Sequence, residues 1–352
     1  MRRISEAKLQ RIALQPGDLL LEKSGGSPDQ PVGRVSYFEG AEGIAVGSNF
    51  LQTLRPADGV DSKFLFYLLQ HEYSRGRVLP FQQQTTGIIN LRVKDYLSVE
   101  VLVPPDVEEQ RRIADVLSAV DERIAQTAQT FEKLSILKGS VVRTALARLK
   151  AAPQEPLAKL ADIRSGVTLG KRFAGPGTAD YPYLRVANVQ DGHIDIADVK
   201  TIRLPVTAAA KSMLIAGDVL MNEGGDFDKL GRGAVWQGQI PNCLHQNHVF
   251  RVRCNQDVLL PNFLALWAAS DFGKKFFMLA SKQSTNLASI NSTQLKKFPV
   301  LRPSLDEQRD TLRVVEAVGT SIEVERQELK KLQLLKRGLA KDLFSGQLRR
   351  RP

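Results

Sequence analysis

Cysteine is nearly absent from this sequence, since the 352 residues contain only Cys243 and Cys254. Two cysteines provide no disulfide framework, which is typical of a protein from a reducing compartment. No apolar run reaches the roughly 18 residues that a membrane span requires. The amino-terminal residues "MRRISEAKLQRIALQPGD" also lack the apolar stretch and cleavage site of a signal peptide. These absences predict a cytoplasmic protein.

Motifs for nucleotide and methyl chemistry are missing as well. The segment "GVTLGKR" at 166–172 resembles a phosphate-binding loop, but it is one residue too short and ends in arginine rather than serine or threonine. The "VPPD" of 103–106 offers no aromatic side chain to stack a flipped base. We therefore expect no catalytic residue and no cofactor bound by this chain.

The sequence is duplicated. "VPPDVEEQRRIADVL" at 103–117 is matched by "LRPSLDEQRDTLRVV" at 301–315, with Gln110 aligned on Gln308. Nearly the same offset pairs features upstream, which are Gly17-Asp18 with Gly217-Asp218, Gly33-Arg34 with Gly231-Arg232, Asn49 with Asn247, and Phe64-Leu65 with Phe263-Leu264. A duplication of this kind predicts two copies of one domain.

A seven-residue apolar period follows each copy of the motif. Its positions are Ile113, Leu117, Val120, Ile124, Thr127, Phe131 and Leu134 in the first run, and Val315, Val318, Ile322, Glu325, Leu329, Leu332, Lys336, Leu339 and Leu343 in the second. This spacing predicts two long helices, about 107–148 and about 306–345. Because the duplication places them in symmetric positions, we expect them to pack antiparallel along their apolar stripes. The alternative is two unrelated surface helices, each packed only on its own domain.

The segments before each long helix lack the seven-residue apolar period and contain short β-like runs instead. Short β-like runs such as "GDVLMN" and "HVFRVRC" precede one helix-like stretch, "PNFLALWAASDFGKKFFMLA", and the first half has the same order. The predicted fold class is α+β, with two small mixed globules and two long antiparallel coiled-coil helices. The predicted domains are 1–105 and 151–304 for the globules, 106–150 for the first helix, and 305–352 for the second helix with a basic tail.

The two halves differ at their start. Residues 155–200 have no counterpart in the first half, because residue 1 already aligns near residue 201. We expect a shortened first globule. Either the reading frame was assigned from an internal methionine, or the shortened form is natural.

A family resemblance is carried by Leu97-x6-Pro104-Pro105-x4-Gln110-x2-Ile113 and Leu295-x7-Pro303-x4-Gln308, with the helix endings "LSILKGSVVRTAL" and "LQLLKRGLAKDLFSGQL". This arrangement resembles the specificity subunit of type I restriction-modification enzymes. The resemblance implies two target recognition domains that each read one half of a split DNA sequence. It also implies methyltransferase subunits that use S-adenosylmethionine, and a translocating restriction subunit that uses ATP and Mg²⁺, as partners.

Two other functions are compatible with the same features. The chain could be a coiled-coil adaptor whose recognition domains no longer bind DNA. It could also be an enzyme, as in related systems that fuse recognition to methylase and nuclease, although the chain has no room for those modules. The net charge of +11 favours a polyanionic partner, because 151–304 carries +6 whereas 1–105 carries +1. Charge that serves only solubility is the alternative.

Candidate DNA contacts are polar clusters on irregular segments, since Arg, Lys, Asn and Gln read base edges and Lys, Arg, Ser and Thr hold phosphates. In the second globule they are Lys171, Arg172, Tyr183, Arg185, Asn188, Arg232, His245, Gln246, Asn247, His248, Lys282, Gln283, Thr285 and Asn286. In the first globule they are Arg34, Asn49, Gln82, Gln83, Gln84 and Thr85. We expect the second globule to supply most of the DNA affinity.

Two further clusters have a simpler interpretation. Asp18 with Lys23 suggests a nuclease site, but Glu223 replaces the lysine in the second half, so we expect a structural carboxylate. A zinc site built from Cys243, His245, His248 and Cys254 would have a spacing that matches none of the usual patterns. We expect both cysteines to be small buried apolar residues.

Overall fold

The structure is a computed structural model that describes residues 6–27, 29–85, 87–168, 173–225, 230–231, 233–283 and 288–345. The chain divides into two compact units. The first unit comprises Met1–Glu132 with Glu323–Pro352, and the second comprises Lys133–Ile322. Each unit therefore contains one globular part and a portion of both long helices.

The elements alternate between short strands and helices of very different length. The helices are α1 (Glu6–Ile12), α2 (Ser62–Ser74), α3 (Val93–Leu97), α4 (Val107–Arg148), α5 (Val206–Ala209), α6 (Pro261–Ala269), α7 (Asp271–Ala280), α8 (Ser292–Lys296) and α9 (Leu305–Phe344). The strands are β1 (Leu19–Glu22), β2 (Ser24–Gly26), β3 (Val35–Tyr37), β4 (Leu51–Leu54), β5 (Gln82–Thr85), β6 (Ile88–Leu91), β7 (Gln154–Pro156), β8 (Ala161–Ser165), β9 (Thr178–Leu184), β10 (Lys200–Pro205), β11 (Val219–Asn222), β12 (Gly224–Gly225), β13 (Gly233–Val235), β14 (Leu244–His245), β15 (Val249–Cys254), β16 (Lys282–Gln283), β17 (Ala288–Ser289) and β18 (Pro299–Leu301).

The first unit is built on two small antiparallel sheets. Their strand orders are β3-β1-β4 and β2-β6-β5. The apolar side of β1, with Leu19 and Leu21 fully buried, packs with Leu69 of α2 in one core cluster. The alternation of buried and half-buried residues along β1 is that of a strand with one face toward the core.

The second unit repeats this plan and extends it. Its sheets β13-β11-β15-β8 and β12-β17-β16 contain the equivalents of both sheets of the first unit, with β11 pairing β15 as β1 pairs β4. In addition β8 pairs along β15, and β9 lies between β10 and β14. The strand β15 is almost fully buried, whereas its equivalent β4 is half-buried. The shared sheet plan confirms the internal repeat and the α+β class.

A buried carboxylate immediately precedes each of the equivalent strands β1 and β11. Asp18 is 1% exposed and receives two bonds of 2.7 Å from the Arg55 guanidinium. Asp218, fully buried, receives bonds of 2.7 and 2.8 Å from Arg253. The hydrogen bond from Arg55 lowers the pKa of Asp18. Both carboxylates have a structural role, because burying either charge requires the paired arginine.

The glutamine of the first repeated motif, Gln110, is completely buried. Its side-chain oxygen accepts a 2.7 Å bond from the backbone N–H of Asp61, the residue that caps α2. Its side-chain NH₂ donates to the carbonyls of Gly59 and Pro104 at 3.0 and 2.8 Å. One side chain therefore satisfies three backbone groups and joins the start of α4 to the start of α2.

Gln308 does the same in the second unit. It is also completely buried, and its oxygen accepts a 2.8 Å bond from the N–H of Leu260, the residue that precedes α6. Its NH₂ donates to the carbonyls of Val258 and Pro303 at 2.9 and 3.0 Å. The repeated motif is explained by this contact, since only glutamine combines two donors, an acceptor and this reach.

The second long helix begins with a capping box. The Ser304 hydroxyl accepts a 3.3 Å bond from the Glu307 N–H, and the Glu307 carboxylate accepts a 2.8 Å bond from the Ser304 N–H. At the start of the first long helix, the Asp106 carboxylate accepts a 3.0 Å bond from the N–H of Glu108. These bonds satisfy donors that a helix start otherwise leaves without partners.

The predicted apolar stripes coincide with the less exposed positions of the two long helices. Every stripe position named from the sequence is buried or half-buried. In the first unit Leu117 of α4 shares a core cluster with Phe344 of α9, and farther along α4 the Phe131 ring lies 5.8 Å from the Arg326 guanidinium. Residue numbers rise along one helix while they fall along the other, so the predicted antiparallel packing is confirmed within this unit.

The polar interruption at Lys336 has local partners. Its ammonium lies 2.7 Å from an Asp121 carboxylate oxygen on α4 and 5.3 Å from the centroid of the Tyr67 ring. A half-buried lysine is tolerated here because the carboxylate and the ring face offset the loss of water around the charge.

The single helix-like stretch predicted in the second half is wrong in one respect. The structure divides it into α6 and α7 at Ser270, whose backbone is extended with φ −68° and ψ 165°. The Ser270 hydroxyl accepts a 3.3 Å bond from the N–H of Gly273 and so caps the second helix. Because serine competes for backbone donors, it favours a new helix start at this point.

We expect Gln308→Leu to lower the free energy of unfolding by about 3 kcal/mol or more, because three buried backbone groups lose their only side-chain partner. Urea denaturation measures this loss. Gln327→Leu on the exposed face of the same helix is the control and should change stability by less than about 0.5 kcal/mol. Equal effects of the two substitutions would contradict the proposed role of the buried amide.

Candidate nucleic-acid interface

The segment 245–248 of the second unit is held by backbone bonds to Val167, which follows β8, and to Leu184 at the end of β9. The N–H of Gln246 donates to the Leu184 carbonyl at 2.8 Å, and the N–H of Asn247 donates to the Val167 carbonyl at 2.9 Å. In return the Val167 N–H donates to the His245 carbonyl at 2.7 Å. The backbone of this polar segment is therefore fixed by the strands that have no equivalent among the described residues of the first unit.

Three side chains at this place form one hydrogen-bonded chain. The His248 Nδ1 lies 2.6 Å from a Glu223 carboxylate oxygen, and the Asn247 Nδ2 lies 3.3 Å from His248 Nε2. The His248 side chain is 55% exposed and that of Glu223 is 28% exposed. The group therefore lies at the surface with its geometry set from within the unit.

Cations near this segment are paired with carboxylates. Arg185 and Lys200 lie 2.9 and 3.0 Å from the Asp198 carboxylate, and their hydrogen bonds, that of Lys200 first, lower the pKa of Asp198. On the β8–β15 pair, Arg164 and the buried Arg251 both contact Asp162. These arginines and the lysine hold defined positions, although part of their charge is offset.

Three candidates in the second unit are wrong as surface contacts. Tyr183 is 7% exposed and packs in an apolar cluster with Leu204. Asn188 is 3% exposed, and its amide accepts a 2.8 Å bond from the Arg185 N–H and donates to the carbonyls of Asp195 and Asp198. The third is His245, which is fully buried.

His245 is positioned by close backbone contacts. Its Nδ1 lies 2.7 Å from the Val249 carbonyl, so Nδ1 carries the proton. A side chain at Gly166 would meet the carbonyl of His245 at 1.9 Å, which only glycine avoids. Burial lowers the pKa of His245 to about 4. The ring is therefore a neutral part of the core beneath the polar segment.

In the first unit the candidates separate into exposed and structural residues. Asn49, Gln83 and Gln84 are exposed, and Arg34 is about half exposed while bonded to Glu22 at 2.7 and 2.9 Å. Gln82 is not available as predicted for a contact with DNA. Its oxygen accepts from the Val32 N–H, and its NH₂ donates to the carbonyls of Val32 and Val78, so its amide is occupied within the unit.

Several candidates lie outside what the structure describes. These residues are Lys171, Arg172, Arg232, Thr285 and Asn286. For three others the backbone alone is described, within β5 and β16, and these are Thr85, Lys282 and Gln283. All eight remain predictions.

The cysteines do not meet. Cys243 and Cys254 belong to two different core clusters of the second unit, and burial raises the pKa of each thiol to about 12. Within the described ranges no three His, Cys, Asp or Glu side chains converge as metal ligands would. Among the described helices, none combines the length and apolar character needed to span a bilayer.

One protein-family model matches this chain in two separate ranges. A family model described as the type I restriction modification DNA specificity domain matches residues 7–135 and 157–334. Each match falls on one copy of the repeated framework. The chain belongs to this family. The predicted membership is thus confirmed, and the adaptor alternative is not favoured.

Curated relatives in this specificity family align along much of the chain. The EcoKI specificity subunit of Escherichia coli K12 is 24% identical over 358 residues, which cover 95% of this chain and 75% of that protein. The StySPI specificity subunit of Salmonella potsdam is 24% identical over 365 residues, with coverages of 95% and 75%. The MjaX specificity subunit of Methanocaldococcus jannaschii is 27% identical over 184 residues, which cover 52% of this chain but 43% of that protein.

Solved structures share the fold. The S subunit of a type I restriction-modification system from M. genitalium has a TM-score of 0.59 at 17% identity, over 95% of this chain and 84% of that one. A chain from a structure concerned with complex assembly and conformational transition of the type I R-M system has a TM-score of 0.56, also at 17% identity, over 94% and 82%.

The sequence did not reveal the carboxylates that hold the polar side chains around residues 245–248. In the sequence Glu223 stands out only because it replaces the lysine of a possible nuclease set, whereas in the structure its carboxylate lies 2.6 Å from His248 Nδ1. Asp162 and Asp198 were not singled out, although they hold Arg251 and Arg185. A carboxylate far along the chain gives no local signal for the partner it will meet.

Acid should destabilise the second unit through His245. The unfolded chain protonates this imidazole near its ordinary pKa of about 6.5, above the lowered pKa of the folded state, so the free energy of unfolding falls as pH drops between these values. From about pH 7 to about pH 5 we expect this group to contribute a loss of about 2 kcal/mol, measured by urea denaturation.

His245→Gln is the matched variant, because its amide can still donate to the Val249 carbonyl and it carries no titrating group. Its stability should therefore change less between the same two pH values. An equal change in both proteins would show that other groups cause the acid sensitivity.

Proposed function

We propose that this chain is the DNA-reading subunit of a type I restriction-modification complex, in which each unit contacts one half of a split target sequence. The observation that carries the proposal is the twofold match to a DNA specificity domain, at residues 7–135 and 157–334. Relatives along 95% of the chain are themselves called specificity subunits. A chain with two copies of one DNA-recognition domain can bind the two halves of a bipartite target, one half with each copy.

The surface chemistry supports DNA as the ligand. Gln246, Asn247 and His248 in the second unit, and Asn49 with Gln83 in the first, carry the amide and imidazole groups that read base edges. The charge of +6 within 151–304 supplies phosphate attraction. We infer that the second unit contributes more of the affinity.

The partners and the division of chemistry form part of the same proposal. Methyltransferase subunits with S-adenosylmethionine would modify the DNA, and a restriction subunit with ATP and Mg²⁺ would translocate and cut it. This chain would bind none of these cofactors and would act in the cytoplasm, where its DNA target lies. In support, the most nuclease-like carboxylates, Asp18 and Asp218, are each paired with an arginine.

Purified alone, the chain should transfer no methyl group to DNA, because catalysis is assigned to the partner. Addition of the methyltransferase subunit encoded beside it should give methylation at one bipartite sequence, measured by radiolabelled methyl transfer. Methyl transfer by the isolated chain would overturn the non-catalytic assignment. Failure of the reconstituted complex to methylate any bipartite sequence would overturn the proposed function.

Matched changes on the small sheets test which unit binds DNA more strongly. Lys282→Ala with Gln283→Ala should weaken binding more than Gln83→Ala with Gln84→Ala, and it should reduce the salt dependence by about one phosphate contact. Fluorescence anisotropy on the methylated sequence at two salt concentrations measures both effects. Equal losses would show that the first unit is an equal reader.

A further inference from the structure

The two units share one backbone junction beside their candidate DNA contacts. In the first unit the N–H of Lys23 donates to the Phe50 carbonyl at 2.9 Å, and in the second the N–H of Glu223 donates to the His248 carbonyl at 3.0 Å. In each unit this bond joins the residue that follows β1 or β11 to the residue that immediately precedes the neighbouring strand, β4 or β15. The framework at the two positions is therefore equivalent.

A second bond of the junction is also repeated. The Leu91 N–H donates to the carbonyl of Lys23, and the Ile290 N–H donates to the carbonyl of Glu223, both at 2.8 Å. Residues 23 and 223 thus hold the same place between the two sheets of their units. Differences between their side chains cannot be attributed to a different backbone.

The side chains at these equivalent backbone positions differ: the first unit has Lys23 and Phe50, and the second has Glu223 and His248. Phe50, the counterpart of His248, is 50% exposed and cannot form a hydrogen bond to Lys23 through its ring. In the second unit the Glu223 carboxylate accepts from His248 Nδ1 at 2.6 Å. A carboxylate only accepts, so Nδ1 carries a proton, and in the neutral imidazole Nε2 is then an acceptor.

Nε2 in turn orients the amide of Asn247. With the amide placed as it is, Asn247 Nδ2 donates to His248 Nε2 at 3.3 Å. One N–H of the amide and its carbonyl oxygen then have no partner among the described residues. A donor and an acceptor side by side match the N7 acceptor and N6 amino donor that adenine presents in the major groove, and no other base offers this pair there.

We propose that Asn247 reads one adenine in the half-site of the second unit and that Glu223, acting through His248, is its positioning residue. This inference rests on the proposed DNA-reading function. Asn49, the counterpart of Asn247, lacks this support, because Lys23 and Phe50 replace the carboxylate and the imidazole. The duplicated framework thereby gains an amide oriented by a carboxylate and an imidazole in the second unit, whereas the equivalent amide of the first unit has no such support.

The test uses the full chain with its methyltransferase partner. Sequencing of methylated DNA from cells that carry both genes defines the bipartite target, and competition binding with duplexes changed one base pair at a time gives the preference at each position. Asn247→Ala should lower the preference for one A·T pair about tenfold. Asn255→Ala removes another exposed amide of the same unit and should leave that preference in place.

Two variants test the positioning role. Glu223→Lys combined with His248→Phe gives the second unit the pair that the first unit already tolerates on the same backbone, so the fold should be kept while the preference at that A·T pair falls as in Asn247→Ala. Glu223→Gln can still accept from Nδ1 and should keep most of the preference. Melting temperatures of Asn247→Ala and of these two variants should remain near that of the unchanged chain.

The outcomes separate the two proposals. A wild-type complex that shows no sequence preference would overturn the DNA-reading function, and this inference with it. A wild-type preference that survives in Asn247→Ala would overturn the inference alone. So would a loss in Asn247→Ala that is equal for all duplexes and accompanied by a weaker salt dependence, since that behaviour indicates a phosphate contact.

Discussion

One buried glutamine amide in each repeat joins the long helix to the globular part, and the architecture depends on this contact. An amide removed from water costs free energy unless its groups are bonded. Gln110 and Gln308 each meet that condition with bonds to three backbone groups, one of which belongs to the residue that precedes a domain helix. Because hydrogen bonds are directional, the helix start cannot turn relative to the globular part without breaking them.

The bonds that are common to both units leave the exposed side chains beside them free to differ. The Asp–Arg pairs beside β1 and β11 and the backbone junction at residues 23 and 223 are retained in both units. These bonds join a buried carboxylate to an arginine or join backbone groups to one another, so they do not involve the side chains of residues 23, 50, 223 and 248. Lys23 and Phe50 in one unit, and Glu223 and His248 in the other, therefore occupy equivalent places with different chemistry. Duplication followed by change of these side chains gives two units with the same backbone and different surface chemistry at this place.

Sequence patterns predicted the helices better than the site. The stripe from Ile113 to Leu134 is recognised from the spacing of apolar residues over a few turns, and its positions are buried or half-buried in the structure. The break at Ser270 was missed because a serine inside an apolar run gives a weak signal. Polarity was a poor guide to DNA contact, since Asn188, Gln82 and His245 use their polar atoms to satisfy backbone groups of their own unit.

The sequence by itself determined the duplication, the two long helices with their packing direction, the mixed α+β class and the family. These features depend on periodicity and on motifs that are read within a short stretch of chain. Tertiary structure alone decided which polar residues point inward, which carboxylate meets which cation, and that Glu223 lies against His248. Those pairings join residues far apart in the chain, so they are set by strand register and loop path rather than by any local pattern.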